Sequence, residues 1–193
     1  MSAQVNQPVT KPLCDVINED LPKLDLDRPR MVGMGLQIFN SNPKLRFRIE
    51  GCGIPFAPSV YNGTGAEERK NIQLSVTEVE AAAIESMEKA FMKQLESSSI
   101  STAQLASVVK RNDKYNPSLR AKINTAGVQP CRFWDADGNA TAAPAQWKCV
   151  ANAVLEVRGV WSSKTGAGLT LQVTDLQCSA PTPAQCPFGG SAA

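Results

Sequence analysis

Basic side chains are concentrated in one short stretch of the sequence. Between positions 110 and 122 there are five of them and a single acid, Asp113. They are Lys110, Arg111, Lys114, Arg120 and Lys122. Because strand side chains alternate between two faces, Arg120 and Lys122 project from the same face. A row of cations on one face suits the binding of phosphate groups, although a solvated surface has the same composition.

A second basic group lies upstream, on a predicted strand. Arg46 and Arg48 alternate there with apolar residues at positions 45, 47 and 49, so the strand has one apolar face and one mostly basic face. Arg69 and Lys70 follow just before the next predicted strand. The acids are placed elsewhere, mainly near the start of the chain and on a predicted helix.

Aromatic side chains lie close to these cations in the sequence. Tyr115 follows Lys114 directly, and Trp134 shares a strand face with Arg132, opposite Phe133. Flat rings stack on nucleic-acid bases with about 1–3 kcal/mol each. A basic sheet face with aromatic neighbours therefore predicts a groove for a single-stranded nucleic acid.

Three other aromatic residues have alternative roles. Trp161 continues the alternation of Leu155 and Val157, which favours a core position. Phe56 and Tyr61 lie in a loop rich in glycine and proline, where they either hold the loop or contact a ligand.

The composition excludes most catalytic mechanisms. The 193 residues include no histidine, which removes imidazole acid–base chemistry, Ser-His-Asp triads and histidine metal ligands. The six cysteines are widely spaced without a CxxC pair, so reduced thiols are expected and no metal or cofactor is predicted. The segment from Asp135 to Asn139 is a hairpin turn in this interpretation, because Gln146 stands where a calcium loop needs glutamate. We expect no enzymatic activity.

The positioning elements are mostly strands. Alternating apolar residues predict about six of them, near residues 45–49, 71–76, 119–123, 131–134, 149–157 and 169–173. Thr77 and Glu80 form a capping box that opens a helix over 78–96, and a shorter helix is expected over 102–111 with Leu105, Val108 and Val109 inward. The fold class is mainly β with a helical insert (α+β), a small β-barrel of about five to six strands. A β-sandwich is the structural alternative.

The predicted organisation has three parts. Residues 1–30 form an extended arm, residues 31–178 form the folded domain with the helical insert at about 78–111, and residues 179–193 form a flexible tail rich in Pro, Ala and Gly. No apolar stretch is long enough to span a membrane, and no signal peptide is evident. We expect an intracellular protein of the cytoplasm or nucleus.

Several motifs occur in a recognisable order: LRFRIEG, IPFAPSVYNG, RKNIQLSV, KYNPSLRAKI, RFWDADG and VLEVRGVWSSKTGAGLTLQVTDLQ. In this order, over residues 35–178, the chain resembles the OB-fold single-stranded DNA-binding proteins of large nucleocytoplasmic DNA viruses, the African swine fever type. The resemblance implies an OB-type barrel that binds single-stranded DNA without sequence preference in replication or repair. It points to Lys114, Tyr115, Arg120 and Lys122 in KYNPSLRAKI, and to Arg158 and Trp161 in VRGVW.

The resulting prediction is a groove with phosphates on cations and bases on rings. The phosphate-binding residues are Arg46, Arg48, Lys110, Arg111, Arg120, Lys122 and Arg158, and the bases stack on Tyr115 and Trp134. The partner is single-stranded DNA, with RNA as the alternative that the sequence does not separate. Homo-oligomer formation and contacts with replication proteins stay open. The functional alternative is a self-associating structural or assembly protein, such as a virion or scaffold component.

Overall fold

The computed structural model describes Asp25 and residues 30–32, 35–40, 45–60, 69–96, 105–127, 129–163 and 166–179. Within these ranges the chain forms one helix and eleven strands that belong to one sheet. The helix is α1 (Glu78–Glu96). The strands are β1 (Arg30–Val32), β2 (Gly35–Phe39), β3 (Arg46–Ile54), β4 (Ser59–Val60), β5 (Arg69–Ser75), β6 (Val109–Asn112), β7 (Tyr115–Asn124), β8 (Arg132–Trp134), β9 (Ala140–Thr141), β10 (Cys149–Ser163) and β11 (Gly166–Cys178).

Five of the strands pair in a closed ring. β3 pairs with β5, β5 with β7, β7 with β11, β11 with β10, and β10 with β3 again. The β7–β11 pair is parallel and the other four pairs are antiparallel. The prediction of a mainly β fold with a helical insert is therefore confirmed.

The predicted number of five to six strands is too low for the sheet as a whole. The five strands without a predicted counterpart are only two to five residues long; they are β1, β2, β4, β6 and β9. Runs of this length show too few alternations to be recognised as strands from the sequence. They extend the ring at its edges: β4 lies on β5, β6 on β7, and β2 on the last part of β10.

The core lies inside the ring and under the helix. Side chains on alternate positions of the ring strands face inward, and Phe47, Ile49, Leu119, Ile123 and Leu155 are at most 1% exposed. They belong to one apolar cluster that also contains the inner face of α1. Burial of this cluster is the main favourable term for folding.

Two irregularities change which side chains face the core. The first is a bulge in β3 at Gly51, which has a φ of 64°. Because of the extra residue, Ile49 and Cys52 both face inward, opposite Ala153 and Ala151 of β10. A second shift follows Val157 on β10, so that Val160 becomes fully buried. The core position predicted for Trp161 is therefore wrong, because the bulge reverses the alternation, and Trp161 is half-buried.

The helix forms as predicted. The Thr77 amide donates to Glu80 Oε2 (2.8 Å), and the Glu80 amide donates to Thr77 Oγ1 (3.2 Å). This capping box satisfies two of the amides that a helix start leaves unpaired. Met87, Phe91 and Leu95 form the fully buried stripe, and α1 packs against β6, β7 and β11.

The second predicted helix is wrong for the part of it that the structure describes. Residues 109–112 form β6, which pairs with β7. Before it, Leu105 pairs with Ala167 in a single bridge, and the Arg120 amide donates to the Val108 carbonyl (3.0 Å). The i, i+3, i+4 spacing of the apolar residues matched a helix, but backbone pairing with β7 decides the conformation.

The turn at residues 135–139 is confirmed. Gly138 has a φ of 82°, and its amide donates to the Asp135 carbonyl (3.1 Å). Hydrogen bonds from the backbone amides of Asn139 and Asp137 stabilise the ionised Asp135 carboxylate and lower its pKa, with the Asn139 amide contributing most.

The predicted arm and tail lie almost entirely outside the described residues, so their boundaries stay predictions. Among the described helices none is long and apolar enough to cross a membrane. The four cysteines in the described ranges, Cys52, Cys131, Cys149 and Cys178, are free thiols.

Candidate nucleic-acid interface

The charged side chains of three neighbouring strands are all basic. β6 pairs with β7, and β7 pairs with β5. Their sequences, VKRN, YNPSLRAKIN and RKNIQLS, contain six basic residues and no acid. No other group of adjacent described strands has this composition.

The register of these strands assembles one polar outer face. Leu119, Ala121 and Ile123 of β7 are buried, so Arg120 and Lys122 point outward and are exposed. Arg120 lies opposite Gln73, Lys122 opposite Asn71, and Ser118 opposite both Ser75 and Lys110. We call these seven residues, Asn71, Gln73, Ser75, Lys110, Ser118, Arg120 and Lys122, the basic face.

Two exposed aromatic side chains lie in segments next to the basic face. Tyr115 begins β7 beside Lys114 and is 76% exposed. Phe56 is 67% exposed and lies in the connection 55–58 between β3 and β4. This connection runs alongside β5, because Gly53 pairs with Ser75 before it and Ser59 pairs with Asn71 after it. In the alternation of β7, Tyr115 has the parity of the buried Pro117 and Leu119, so its ring lies at the end of the strand and not on the side of Arg120 and Lys122. Exposed rings near a cationic face are suited to stack on bases.

Sequence reasoning did not assign Phe56 to the groove. The signal was an aromatic residue in a loop rich in proline and glycine, but nothing in the sequence showed which strand the loop follows. Its companion Tyr61 lies outside the described residues.

Arg111 points away from the basic face. Its guanidinium pairs with Glu78 and with Glu85 (Nε to Oε1, 3.0 Å), both on α1. Hydrogen bonds to Glu85 and Glu78 raise the pKa of Arg111. The structure thus places this predicted phosphate ligand in a contact between β6 and the helix.

Arg46 and Arg158 form a second cluster around one carboxylate. Glu156 of β10 lies opposite Arg46 of β3, and the Arg46 Nε and Nη2 atoms each lie 2.6 Å from Glu156 Oε2. Arg158 Nη1 donates to Glu156 Oε1 (2.7 Å). On the same face of β3, Arg48 pairs with the exposed Glu50 (2.7 Å).

A single register row connects the two clusters. Arg46 is opposite Glu156, Glu156 is opposite Gln172 of β11, and Gln172 is opposite Lys122 of β7. Asn71 of β5 continues the row beyond Lys122. These residues lie on the outer side of the ring from β3 to β5, and the two in the middle of the row, Glu156 and Gln172, are buried, at 6% and 8% exposure.

The two remaining predicted residues have other surroundings. Trp134 is half-buried, its Nε1 donates to Asp175 Oδ1 (3.1 Å), and the Arg132 guanidinium lies 5.6 Å from the ring centroid. Trp161 lies opposite Gly168 on the β10–β11 hairpin, next to residues 105–106. The structure thus places Lys110, Arg120 and Lys122 on one face, with Lys114 and Tyr115 at the start of β7. Arg46, Arg48 and Arg158 lie together elsewhere.

The fold has counterparts among solved structures. The chain is similar to the single-stranded DNA-binding protein from bacteriophage Enc34, solved in complex with single-stranded DNA, with a TM-score of 0.50 and 12% identity over 86% of this chain and 99% of that chain. It is also similar to gp2.5, a single-stranded DNA-binding protein encoded by bacteriophage T7, with a TM-score of 0.51 and 11% identity over 76% of this chain and 98% of that chain. The chain shares their fold.

Sequence comparison gives no further assignment, because no family model and no curated protein matches the chain. The two structural neighbours are themselves single-stranded DNA-binding proteins, and at 11–12% identity the likeness concerns the fold. Both come from bacteriophages, and the resemblance to the proteins of large nucleocytoplasmic DNA viruses stays a prediction.

Proposed function

We propose that this chain binds single-stranded DNA without sequence preference, on the basic face and the two exposed rings in neighbouring segments, and has no catalytic role. The observation that carries the proposal is the composition of β5, β6 and β7, which contain six basic residues and no acid, with Lys110, Arg120 and Lys122 on the basic face. A neutral solvated surface would intersperse charges of both signs. The fold shared with two phage single-stranded DNA-binding proteins supports the same conclusion.

The division of labour follows from the geometry. Lys110, Arg120 and Lys122 provide cations for the phosphates, and the polar side chains of β5 provide hydrogen bonds to sugar or phosphate oxygens. Phe56 and Tyr115 provide flat surfaces for bases, which accept any base because every base has a π-face. Duplex DNA keeps its bases stacked inside, so only a single strand uses both kinds of contact. This gives the preference for single strands.

We further propose that the protein acts on DNA strands exposed during replication, recombination or repair. Intermediates in these processes present single strands of any sequence, which match a sequence-tolerant groove. Contacts with replication proteins belong to the same proposal.

The first experiment removes the cations of the basic face. The Arg120→Gln/Lys122→Gln double variant should bind a labelled dT oligomer more weakly, and the slope of log K against log salt should become shallower by about 0.7 for each phosphate that is no longer neutralised. The control is Lys89→Gln/Lys93→Gln, which removes the same charge from exposed positions on α1. If both double variants bind like the wild type, the basic face is not the groove.

The second experiment removes the rings. Phe56→Ala and Tyr115→Ala should each weaken binding by about 1–3 kcal/mol without changing the salt slope, since stacking releases no counterions. Val79→Ala, which truncates an exposed apolar side chain on α1, is the matched control. Binding that is unchanged in the Phe56 variant would remove the 55–58 connection from the interface. An RNA oligomer of the same length shows whether the groove distinguishes the two sugars.

A further inference from the structure

Glu156 is a carboxylate on the outer side of the ring that is nonetheless buried, at 6% exposure. Both of its oxygens accept hydrogen bonds from arginine. Oε2 accepts from Arg46 (2.6 Å), and Oε1 accepts from Arg158 (2.7 Å). The second Arg158 nitrogen, Nη2, donates to Gln129 Oε1 (2.9 Å), so the Arg158 guanidinium is held on both sides.

The three side chains together carry one net positive charge. Both arginine side chains remain about one-third exposed, at 35% for Arg46 and 33% for Arg158, so a phosphate from solvent can reach them. The carboxylate itself is not free to move out of the way. It is buried between its partners, and a buried carboxylate without paired cations is strongly unfavourable.

These three side chains are linked to the basic face by strand register. One row leads from Arg46 through Glu156 and Gln172 to Lys122. A DNA strand that leaves the basic face at Lys122 has to pass over Gln172, which is only 8% exposed, to reach the two arginines. Glu156 there holds the place that a phosphate would otherwise take between two guanidinium groups.

We propose that Glu156 lowers the affinity of this chain for single-stranded DNA. It neutralises one of these two arginines, so that the pair binds one phosphate instead of two. This inference rests on the proposed function and adds a positioning residue that sets its strength. It makes Arg46 and Arg158 a weak extension of the basic face, which favours release of the strand.

The test is the salt dependence of binding of a labelled dT oligomer to the full chain. Glu156→Gln keeps the shape and one acceptor but removes the charge, so binding should tighten and the slope of log K against log salt should steepen by about 0.7, for one additional phosphate. Asp137→Asn makes the same change in net charge at an exposed turn position and is the control. It should leave the slope unchanged.

A second variant decides the question if Glu156→Gln does not fold. Glu156→Gln/Arg158→Gln replaces the ion pair by two neutral side chains and restores a single positive charge, so its slope should equal that of the wild type. A slope that is shallower by about 0.7 would show that Arg158 contacts a phosphate in spite of Glu156, and would overturn the inference. Equal slopes for Glu156→Gln and the wild type would overturn it as well.

The same titrations separate this inference from the proposed function. If the wild type binds the oligomer, Arg120→Gln/Lys122→Gln weakens it and Glu156→Gln has no effect, only the role of Glu156 is wrong. If the wild type does not bind at low salt, both proposals fail.

Discussion

Glu88 is a carboxyl group on the buried side of α1, with no exposed surface. Its Oε1 accepts a hydrogen bond from the Val108 amide (2.8 Å), and its Oε2 accepts one from the Ser107 hydroxyl (2.5 Å). Burial is the largest influence on its pKa and raises it, while these two hydrogen bonds act in the opposite direction. Glu88 thus connects the helix to the segment that leads into β6, at an electrostatic cost.

The raised pKa of Glu88 makes stability depend on pH. The folded state holds the proton more tightly than the unfolded state, so this contribution is fully present below the ordinary pKa of 4.5 and is lost as the pH rises through the folded-state pKa. Glu88→Gln removes this loss. We predict that the difference in free energy of unfolding between Glu88→Gln and the wild type shifts in favour of the variant as the pH rises through this range.

Urea denaturation at a series of pH values measures this difference. The control is Glu50→Gln, since Glu50 is exposed on the outer face of β3 and the same charge is removed there. A difference between Glu88→Gln and the wild type that is constant with pH contradicts the assignment.

Gly168 is a residue whose missing side chain is a packing requirement. A Cβ at this position would lie 2.6 Å from the carbonyl oxygen of Ala106 and 3.1 Å from Trp161 Nε1. The neighbouring backbone cannot move easily, because the Ala106 amide donates to the Ala167 carbonyl (2.9 Å). We predict that Gly168→Ala destabilises the fold by about 1–3 kcal/mol, the usual cost of overpacking.

Thermal or urea denaturation measures this effect, with Gly53→Ala as the control. A Cβ on Gly53 meets only the Ser75 Cβ, at 3.4 Å. Similar losses of stability in the two variants would mean that residues 105–106 do not pack tightly on the β10–β11 hairpin.

At the scale of elements, α1 holds acidic side chains away from the basic face. Its first half presents Glu78 and Glu85 to Arg111, and its inner face fills the core with Met87, Phe91 and Leu95. The acids are therefore used away from the basic face, although they are close to β6 in space. These two acids therefore do not neutralise the cations of the basic face.

The start of α1 depends on its capping box. We predict that Thr77→Ala lowers stability by about 1 kcal/mol, because the Glu80 amide loses its acceptor. Ser86→Ala is the control, since the Ser86 hydroxyl donates to the Ala82 carbonyl within the same helix (2.9 Å) and such bonds do not stabilise helices. Circular dichroism during urea denaturation compares the two. Equal stability of the Thr77 variant and the wild type would show that the cap is dispensable.

The elements that could be predicted from the sequence are those with sustained local patterns. β3, β5, β7, β10, β11 and α1 each have several periods of alternation or a complete capping signal. β6 could not be predicted, because its conformation comes from pairing with β7, and its apolar residues also fit a helix. The prediction for Trp161 failed because a bulge reverses the alternation of β10, and the types of the side chains do not reveal that bulge.

At the scale of the whole molecule, the sequence did not show which strands and loops lie next to each other. The alternation on β7 was enough to place Arg120 and Lys122 on one outward face. It did not show that Phe56 runs alongside β5, or that Glu156 lies between Arg46 and Arg158, since Arg46 and Glu156 are 110 positions apart. Only the structure shows which of the cations that the sequence indicated are paired with acids, as Arg111 is with Glu78 and Glu85.

The whole molecule should prefer a single strand because cations and rings act together. Fluorescence anisotropy of a labelled dT oligomer tests this preference with the wild-type chain, at low and at physiological salt, with duplex of the same length as competitor. We predict tight binding that weakens as salt rises and that duplex displaces poorly. Equal displacement by duplex, or no binding at either salt, would contradict the proposal, and a large stable oligomer that is indifferent to DNA would favour an assembly protein instead.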